Sequence, residues 1–344
     1  MNALLRALLK RTSRTFHKTL RVLPSSIRHQ ISLAYLLART TDTIADTELV
    51  PVAQRLVALD ELRRGIRDGK PSLSGFAELL PSQTVTAERE LLEQREAILA
   101  LLQSSTSLAD RKLIADLLEV IISGQELDLR RFAAGRRGRI VALQDKSELD
   151  DYTYRVAGCV GEFWTKICRA HVFPQAPLDE ARLLADGVRF GKGLQLVNIL
   201  RDLPADLRQG RCYLPATDLA GAGLRPEDLL DAGQEHRLRP LYNRYLDLAA
   251  AHLAAGWAYT NALPWRCVRV RLACTWPALI GLKTLERLRI ENPLDPTKPI
   301  KIKRAEVRGV IWRSALLYPF PSIWRGQATL PTGGPGKLLH QRAI

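Results

Sequence analysis

Apolar residues recur at helical spacing along most of this chain, so each predicted element has an apolar side and a polar side. The first 20 residues show the pattern, with Leu4, Leu5, Leu8 and Leu9 on one side of a helix. The same spacing predicts further long helices over residues 24–47, 52–67, 86–103, 108–132, 150–170, 179–203, 235–261 and 265–290. The pattern predicts an all-α, single-domain bundle over residues 1–292, followed by a different segment over residues 293–344.

Proline, glycine and serine mark the predicted breaks between these helices. Residues 68–84 are rich in all three and are predicted to form a loop, and residues 216–235 form a second loop with a short helix at 226–230. Pro204 lies inside the run DLPAD, where it removes a backbone N–H and disfavours helix at Leu203. We therefore expect a kinked or ending helix at this point, and a less certain position for Asp206.

The composition limits the classes of partner. The chain has 344 residues, 46% of them hydrophobic, and a formal net charge of +15, which suits nucleic acid, an anionic membrane surface or a phosphorylated substrate. No zinc-finger spacing or RNP-like motif occurs in the sequence, so no nucleic-acid partner is expected. We expect a monomer that binds a phosphorylated substrate.

The cysteines and the N-terminus bear on location. The five cysteines are scattered and form no C-x-x-C motif, which is typical of reduced, buried thiols. The N-terminus is basic with only short apolar runs, and no stretch approaches the roughly 18 apolar residues of a membrane span. These features predict a cytoplasmic protein, with the option of a peripheral contact on the inner face of the membrane.

The most informative stretch is YLLARTTDTIAD, which places Tyr35, Arg39, Asp42 and Asp46 on one stripe of a helix. Asp42 and Asp46 are one turn apart, and two like charges at this spacing cost a few tenths of a kcal/mol unless a cation lies between them. A solvated acidic patch is the alternative interpretation for an isolated pair of this kind.

A second acid pair occurs about 160 residues later, in QLVNILRDLPAD. Asp202 and Asp206 again lie four residues apart, and Asn198 precedes them by one turn, with Arg201 and Arg211 nearby. Mg²⁺ prefers oxygen ligands and is usually held by a few carboxylates together with substrate phosphates. Twinned acid pairs with neighbouring arginines therefore suggest a single site for Mg²⁺ and a phosphorylated substrate.

Two other segments have more than one interpretation. Ala157, Gly158 and Gly161 are small residues at helical spacing, which favours either tight helix packing or a groove for an apolar chain. After residue 292 the sequence is basic, interrupted by proline and rich in aromatic residues. This composition fits either an interfacial membrane contact or a tail that packs on the body of the protein.

Four separated blocks resemble the squalene/phytoene synthase family, the head-to-head prenyl transferases. They are SRTF at Ser13–Phe16, YLLARTTDTIAD at Tyr35–Asp46, YTYRVAGCVG at Tyr152–Gly161, and QLVNILRDLPADLRQGRCYLP at Gln195–Pro215. They occur in the family's order and span about residues 10–290. The resemblance implies an isoprenoid synthase helical bundle with a central apolar channel.

The resemblance also implies roles for individual residues. Tyr35, Tyr152 and Arg39 would be catalytic. The residues that would bind Mg²⁺ with the diphosphate are Asp42, Asp46, Asn198, Asp202 and Asp206. The residues that would bind the remainder of the substrate are Ser13, Arg14, Phe16, Arg201, Arg211 and Gln195, with Ala157, Val160 and Gly161 lining the prenyl channel.

The reaction implied by the resemblance joins two prenyl diphosphates. Mg²⁺ and arginine neutralise the leaving diphosphate, and the allylic cation then meets a second prenyl diphosphate in a dry pocket. Thr43 stands where many bacterial members have a second aspartate, which is more similar to the reductive squalene synthases. The main hypothesis is squalene formation from farnesyl diphosphate with NADPH. The alternatives are a phytoene or dehydrosqualene synthase without reduction, and a non-catalytic binding or assembly factor.

Overall fold

The computed structural model describes residues 3–13, 16–69, 74–76, 78–136 and 138–328, and most of these residues are helical. The all-α class predicted from the sequence is confirmed. The helices are α1 Ala3–Thr12, α2 Phe16–Val22, α3 Ser25–Asp46, α4 Val52–Asp68, α5 Leu79–Ser82, α6 Thr86–Glu93, α7 Arg95–Ser105, α8 Leu108–Arg131, α9 Lys146–Thr153, α10 Cys159–His171, α11 Glu180–Arg208, α12 Ala216–Gly221, α13 Glu235–Ala262, α14 Val268–Ile290, α15 Arg304–Leu317 and α16 Pro321–Arg325.

Short elements complete the fold. A π-helical turn, Tyr154–Gly158, joins α9 to α10, and 3₁₀ turns occur at Ser74–Phe76, Pro226–Leu230 and Ala232–Gln234. Two strands of two residues each, β1 (Val141–Ala142) and β2 (Arg211–Cys212), pair in parallel. No helix within the described ranges combines the length and the apolar character needed to cross a bilayer.

The described chain divides into two compact units. We call residues 1–133 with 162–177 the N-terminal unit, and residues 134–161 with 178–344 the C-terminal unit. In the N-terminal unit α3 packs against α8 and α4. His171, at the end of α10, pairs with the buried Asp110 of α8 at 2.6 Å, and Gln30 of α3 donates to the same carboxylate at 3.2 Å. The bond from His171 joins residues 162–177 to the rest of the N-terminal unit.

The C-terminal unit is organised around α11, which packs along α13, while α13 packs on α14. The sequence predicts a kinked or ending helix at Pro204; the helix does not end near Leu203, because α11 continues through Pro204 to Arg208. Proline cannot donate to the carbonyl four residues earlier, that of Leu200. The buried Tyr242 hydroxyl of α13 donates to this carbonyl instead, at 2.9 Å, so the acceptor stays satisfied.

Several predicted boundaries differ from the structure. The predicted helix over residues 1–20 is divided into α1 and α2, and the one over 86–103 is divided into α6 and α7 at Gln94. The buried Arg95, directly after this break, donates to the Leu92 carbonyl at 2.8 Å and places its guanidinium 4.5 Å from the centre of the Phe76 ring. Local packing of one side chain thus interrupts a periodicity that continues in the sequence.

The segment after residue 292 contributes α15 and α16 to the C-terminal unit. Trp324 is fully buried, and its indole nitrogen donates to the Asn261 side chain at 3.1 Å. The buried Arg271 guanidinium lies within 6 Å of the ring centres of Trp265, Tyr318 and Trp324. Through residue 328 this segment therefore packs on the body, as one of the two interpretations predicted. All five cysteines are buried, and none of them forms a disulfide.

Candidate functional site

The first acid pair lies on a helix that is otherwise enclosed. Between Ile31 and Ala45 every residue of α3 is buried except Tyr35, Ala38, Arg39 and Asp42. Asp46 follows on the same stripe and is exposed. When the other sides of a helix are buried in the core, an accessible polar stripe marks the side that contacts solvent or a ligand. The structure thus presents the predicted stripe to solvent as one continuous surface.

Thr43 directly follows Asp42 and lies on the buried flank of α3, beside this stripe. It is fully buried, and its hydroxyl has no hydrogen-bond partner within the described part of the chain. A carboxylate at this position would point into the core of the N-terminal unit. Position 43 is therefore a packing position in this chain.

Arg39 lies between two carboxylates. It pairs with Glu88, in the first turn of α6, and its Nη1 lies 3.7 Å from the Asp42 carboxylate. Burial lowers the pKa of Arg39, but the charges of Asp42 and Glu88 outweigh this effect and leave the pKa raised. The Arg39 guanidinium therefore stays charged, and its ion pair with Glu88 fixes its position next to Asp42.

Asp42 has the most perturbed carboxylate of the stripe. Desolvation by the surrounding protein, followed by repulsion from Asp46, raises the pKa of Asp42 to about 7, although 41% of its side chain remains accessible to water. Gln125 of α8 donates to its Oδ1 at 2.7 Å and partly opposes the rise. An accessible carboxylate that is short of positive charge is a good ligand for an added cation.

Tyr35 begins the stripe and contacts the end of α1. Its hydroxyl donates to the Thr12 carbonyl at 3.3 Å. Next to Thr12, the buried Ser13 donates its hydroxyl to the Leu9 carbonyl, at the end of α1. Arg14 and the side chain of Phe16, two of the predicted substrate-binding groups, lie outside the described residues.

The second acid pair lies on α11, in the C-terminal unit. Gln195, Asn198, Asp202 and Asp206 follow one another at helical spacing, and all of them reach the surface. Arg201 donates to both oxygens of Asp202, at 2.8 and 2.5 Å. This hydrogen bonding raises the pKa of Arg201, ahead of the opposing effect of burial. The guanidinium fork occupies the carboxylate in a bidentate geometry that also suits phosphate.

Tyr152 is placed beside this stripe. Its ring is 8% exposed and stacks on Tyr213, with 4.6 Å between ring centres. Gln195 donates to the Tyr152 hydroxyl at 3.5 Å, and Asn198 donates to the Gln195 carbonyl oxygen at 3.4 Å. The predicted catalytic tyrosine and two predicted binding residues of α11 are therefore in one hydrogen-bonded chain.

Arg211 directly follows α11 and lies on β2. The parallel pairing of β1 with β2 sets Arg211 opposite Val141. Gly210 enters this strand with φ +81°, and an added Cβ would meet the Arg136 backbone nitrogen at 2.2 Å, so this turn requires glycine. The short sheet fixes the backbone of Arg211 just beyond the second acid pair.

The small residues around the π-helical turn pack closely on α11. An added Cβ on Gly161 would lie 1.9 Å from the Gly187 carbonyl oxygen, and one on Gly191 would lie 2.1 Å from the Ala157 carbonyl oxygen. These distances favour the helix-packing interpretation for Ala157 and Gly161. Val160 is 38% exposed and belongs to the surface of the C-terminal unit. A channel lined by these residues stays a prediction.

The acid pairs fit Mg²⁺ in its usual mode of binding. Within the described ranges, no three His, Cys, Asp or Glu residues form a cluster that would hold a metal ion alone. Mg²⁺ is commonly bound by one or two carboxylates, with waters and substrate phosphates completing its octahedron. Asp42 with Asp46, and Asp202 with Asp206, supply such partial ligand sets. Whether both pairs serve one site stays a prediction.

Three residues that support these stripes were not predicted as site residues. Glu88 holds Arg39, Gln125 holds Asp42, and Tyr213 stacks on Tyr152. Gln125 lies in the polar run SGQELDLRR near the end of a long helix, and an amide on the partly buried side of α8 was the available signal. Glu88 and Tyr213 act from separate elements, and no spacing in the sequence connects them to their partners.

Residues 9–306 match the family model of squalene/phytoene synthases, which covers most of the chain. The chain belongs to the squalene/phytoene synthase family. The match includes both acid pairs and all of α9 to α14, so the two stripes described above lie within the family region. The resemblance carried by the four sequence blocks is confirmed.

Two curated relatives illustrate the range of this family. The bifunctional lycopene cyclase/phytoene synthase of Colletotrichum graminicola is 30% identical over 72% of this chain, but the match covers 40% of that protein. The presqualene diphosphate synthase of Rhodopseudomonas palustris is 26% identical over 88% of this chain and 93% of its own length. The chain thus spans about two fifths of the length of the bifunctional relatives, and nearly the whole length of the presqualene diphosphate synthase.

A solved structure shares the fold. TcSQS bound to the ligand E5700 superposes with a TM-score of 0.75 at 21% sequence identity, over 94% of this chain and 90% of that chain. The family's helical architecture is therefore present in this chain, in the order of elements given above.

Proposed function

We propose that this protein catalyses the Mg²⁺-dependent head-to-head condensation of two farnesyl diphosphates, through presqualene diphosphate, to squalene, with reduction by NADPH. The observation that carries the proposal is the pair of acid stripes in a squalene/phytoene synthase family member. Each stripe combines two aspartates one turn apart with a charged arginine within ion-pair distance of an aspartate. This combination suits a diphosphate that must be bound and then released as an anion.

Binding of the diphosphates is the first task of the stripes. When bound, Mg²⁺ would supply positive charge to the leaving diphosphate, held by Asp42 with Asp46 or by Asp202 with Asp206. Arg201 now donates to Asp202 at 2.8 Å, and we propose that its donors turn to phosphate oxygens when substrate arrives. Glu88 keeps Arg39 charged and oriented towards the same kind of oxygen.

Carbon–carbon bond formation follows departure of the diphosphate. The C1–O bond of one farnesyl diphosphate breaks, and its electron pair leaves with the diphosphate. The allylic cation adds to a double bond of the second molecule, and loss of a proton closes the cyclopropane of presqualene diphosphate. We assign the buried Tyr152 ring, supported by Tyr213 and Gln195, to the reacting carbons. Presqualene diphosphate then loses its remaining diphosphate, which leaves with the electron pair of its C–O bond. Hydride from NADPH to the rearranged cation gives squalene, whereas loss of a proton from that cation gives dehydrosqualene.

A second candidate stops earlier, at presqualene diphosphate itself. It is favoured by the relative of that name, whose length this chain almost fully spans. A third candidate, phytoene formation from geranylgeranyl diphosphate, draws on the phytoene synthase part of the bifunctional relatives. All three use the same acid stripes, so the products distinguish them.

The deciding experiment is a product analysis. Purified protein is incubated with farnesyl diphosphate and Mg²⁺, with and without NADPH, and both phases of an organic extraction are examined by mass spectrometry. Squalene formed only with NADPH supports the proposal, and presqualene diphosphate that persists with NADPH supports the second candidate. Phytoene from geranylgeranyl diphosphate alone moves the assignment to the third.

Paired variants test whether the stripes carry the activity. Asp42→Asn and Asp202→Asn should each remove turnover while the far-UV circular dichroism stays unchanged. Asp116→Asn is the matched control, because Asp116 is an exposed carboxylate of α8 that pairs with the exposed Lys112. Equal turnover in all three variants would show that the stripes do not carry the activity. No product from either substrate in the unmodified protein would support the non-catalytic alternative.

A further inference from the structure

The C-terminal helices expose an apolar surface that the body of the protein leaves uncovered. Trp312, Leu316, Phe320 and Ile323 are 67%, 68%, 55% and 54% exposed. Trp312 and Leu316 lie one turn apart on α15, Phe320 directly precedes α16, and Ile323 lies within α16. We call these four residues the apolar face. Large exposed side chains are ordinary singly, but a continuous group of them marks an interaction surface.

The buried side of the same segment shows that this exposure is not the result of poor packing. Val310 and Ser314 of α15 are buried, and Ser314 accepts a hydrogen bond from the Trp276 indole at 3.0 Å. Tyr318 and Trp324 are buried in the aromatic cluster around Arg271. The segment is therefore fixed to the C-terminal unit by one side while it presents the apolar face on the other.

Positive charge surrounds the apolar face. Residues 301–328 contain six lysines and arginines against one acidic residue, Glu306, and that carboxylate is already paired with Arg287 at 2.9 Å. Arg308 continues the stripe of Trp312 and Leu316 one turn earlier, Arg313 directly follows Trp312, and Arg325 follows Ile323 by two residues on α16; all three arginines are exposed. The face is thus an apolar strip with an uncompensated basic border.

This combination identifies the occupant. A second copy of the chain would bring the same arginines against each other, which like-charge repulsion disfavours. An anionic lipid surface matches both parts, because apolar side chains enter the boundary between head groups and acyl chains while arginines contact the phosphates. We propose that the apolar face is a membrane-docking surface that binds anionic phospholipid bilayers and holds the C-terminal unit at the bilayer interface.

Vesicle co-sedimentation of the full chain tests the proposal. The unmodified protein should bind vesicles of phosphatidylcholine mixed with phosphatidylglycerol, and binding should fall with added salt and be much weaker to phosphatidylcholine alone. Leu316→Ser should weaken binding by about tenfold, because one large apolar side chain leaves the interface. Leu108→Ser is the matched control, since Leu108 is also a highly exposed leucine at 80% but lies in the N-terminal unit.

Charge and location are tested separately. The double change Arg308→Gln with Arg313→Gln should weaken binding by about 25-fold, at roughly fivefold for each arginine near an anionic surface. Vesicles that contain brominated acyl chains should quench tryptophan fluorescence in the unmodified protein, and Trp312→Phe should remove most of that quenching. Phe320→Ser provides a second apolar variant, and thermal unfolding followed by circular dichroism confirms that each variant is folded.

The results that overturn the proposal are specific. Binding that Leu316→Ser and Phe320→Ser leave unchanged would show that another surface carries it, as would equal losses in Leu316→Ser and Leu108→Ser. A concentration-dependent dimer in sedimentation velocity that Leu316→Ser abolishes, with no vesicle binding, would make the face a contact between copies of this chain. None of these measurements depends on catalytic activity, so the proposed function and the docking surface can fail independently.

Discussion

The side-chain amide of Gln125 on α8 donates to the Asp42 carboxylate on α3 at 2.7 Å, and so connects a helix without any predicted site residue to the first acid pair. The bond favours the ionised form of Asp42, which burial and Asp46 disfavour. Gln125→Leu should therefore raise the pKa of Asp42 further and weaken Mg²⁺ binding several-fold at pH 6.5, with a smaller effect at pH 8.5. Isothermal titration calorimetry measures both affinities.

Gln103→Leu is the control for that change, since Gln103 donates only to the Ile66 carbonyl, at 3.3 Å in the same unit. A pH-independent loss of affinity in Gln125→Leu would indicate that the amide shapes the site without tuning its charge.

The raised pKa of Asp42 predicts opposite effects of pH on stability and on metal binding. In the folded protein Asp42 holds its proton up to about pH 7, whereas in the unfolded chain it loses it near 3.8. The metal-free protein should therefore lose stability as pH rises from about 4 to about 7. Mg²⁺ requires the ionised carboxylate, so its affinity should rise over the same range, with proton release at pH 6.

Titration of Mg²⁺ in two buffers of different ionisation enthalpy counts the released protons. Asp42→Asn should abolish the release, and thermal unfolding of this variant should lose the corresponding dependence on pH between 4 and 7. Proton release that persists in Asp42→Asn would assign it to another carboxylate.

Tyr242 and Pro204 should be coupled energetically. Tyr242→Phe leaves the buried Leu200 carbonyl without a donor and should lower the free energy of unfolding by about 1–2 kcal/mol. Pro204→Ala restores a backbone N–H that can donate to the same carbonyl. The cost of Tyr242→Phe should therefore fall to a few tenths of a kcal/mol in the Pro204→Ala background, as measured by chemical denaturation of all four proteins. Simple additivity would refute the coupling.

Thr43 and Thr40 should respond oppositely to the same substitution. Both are fully buried on α3, but Thr40 donates to the Leu36 carbonyl at 2.9 Å, whereas the Thr43 hydroxyl has no partner within the described ranges. Thr43→Val should stabilise the protein by up to about 1 kcal/mol, because it removes an unpaired buried hydroxyl. Thr40→Val should be neutral or destabilising. Melting temperatures compare the two, and a destabilised Thr43→Val would point to a hydrogen bond made in solution.

Gly161 should not tolerate a methyl group. Because its Cβ would meet the Gly187 backbone at 1.9 Å, Gly161→Ala must separate α10 from α11 and should cost about 2–3 kcal/mol. Gly309→Ala, in α15, meets no atom within 4 Å and should instead stabilise its helix by about 1 kcal/mol. A neutral Gly161→Ala would favour an open groove at this position over tight packing.

The sequence predicted the features that depend on spacing within one helix. Both aspartate stripes lie on single helices, and helical periodicity alone is enough to align Asp42 with Asp46 and Asp202 with Asp206. The family followed from four such local blocks. These are the properties that neighbouring residues determine.

The remaining features depend on partners distant in the chain. Glu88 reaches Arg39 from 49 residues away and Gln125 reaches Asp42 from 83, so neither contact leaves a periodic signal. Pro204 misled the prediction for the same reason, because the donor that compensates it, Tyr242, is on another helix. The sequence shows which local hydrogen bond a residue such as proline removes. It does not show whether a side chain from another helix replaces that bond.

The attachment of residues 162–177 to the N-terminal unit has a consequence for biosynthesis. The unit's first 133 residues leave the ribosome before this segment, and His171 reaches Asp110 only after both are synthesised. Until then the nascent unit lacks the side chains of Ile167 and Cys168, which are fully buried when folding is complete. The unfinished chain therefore shows apolar surface during translation, and it is at this stage that the protein should depend most on chaperones.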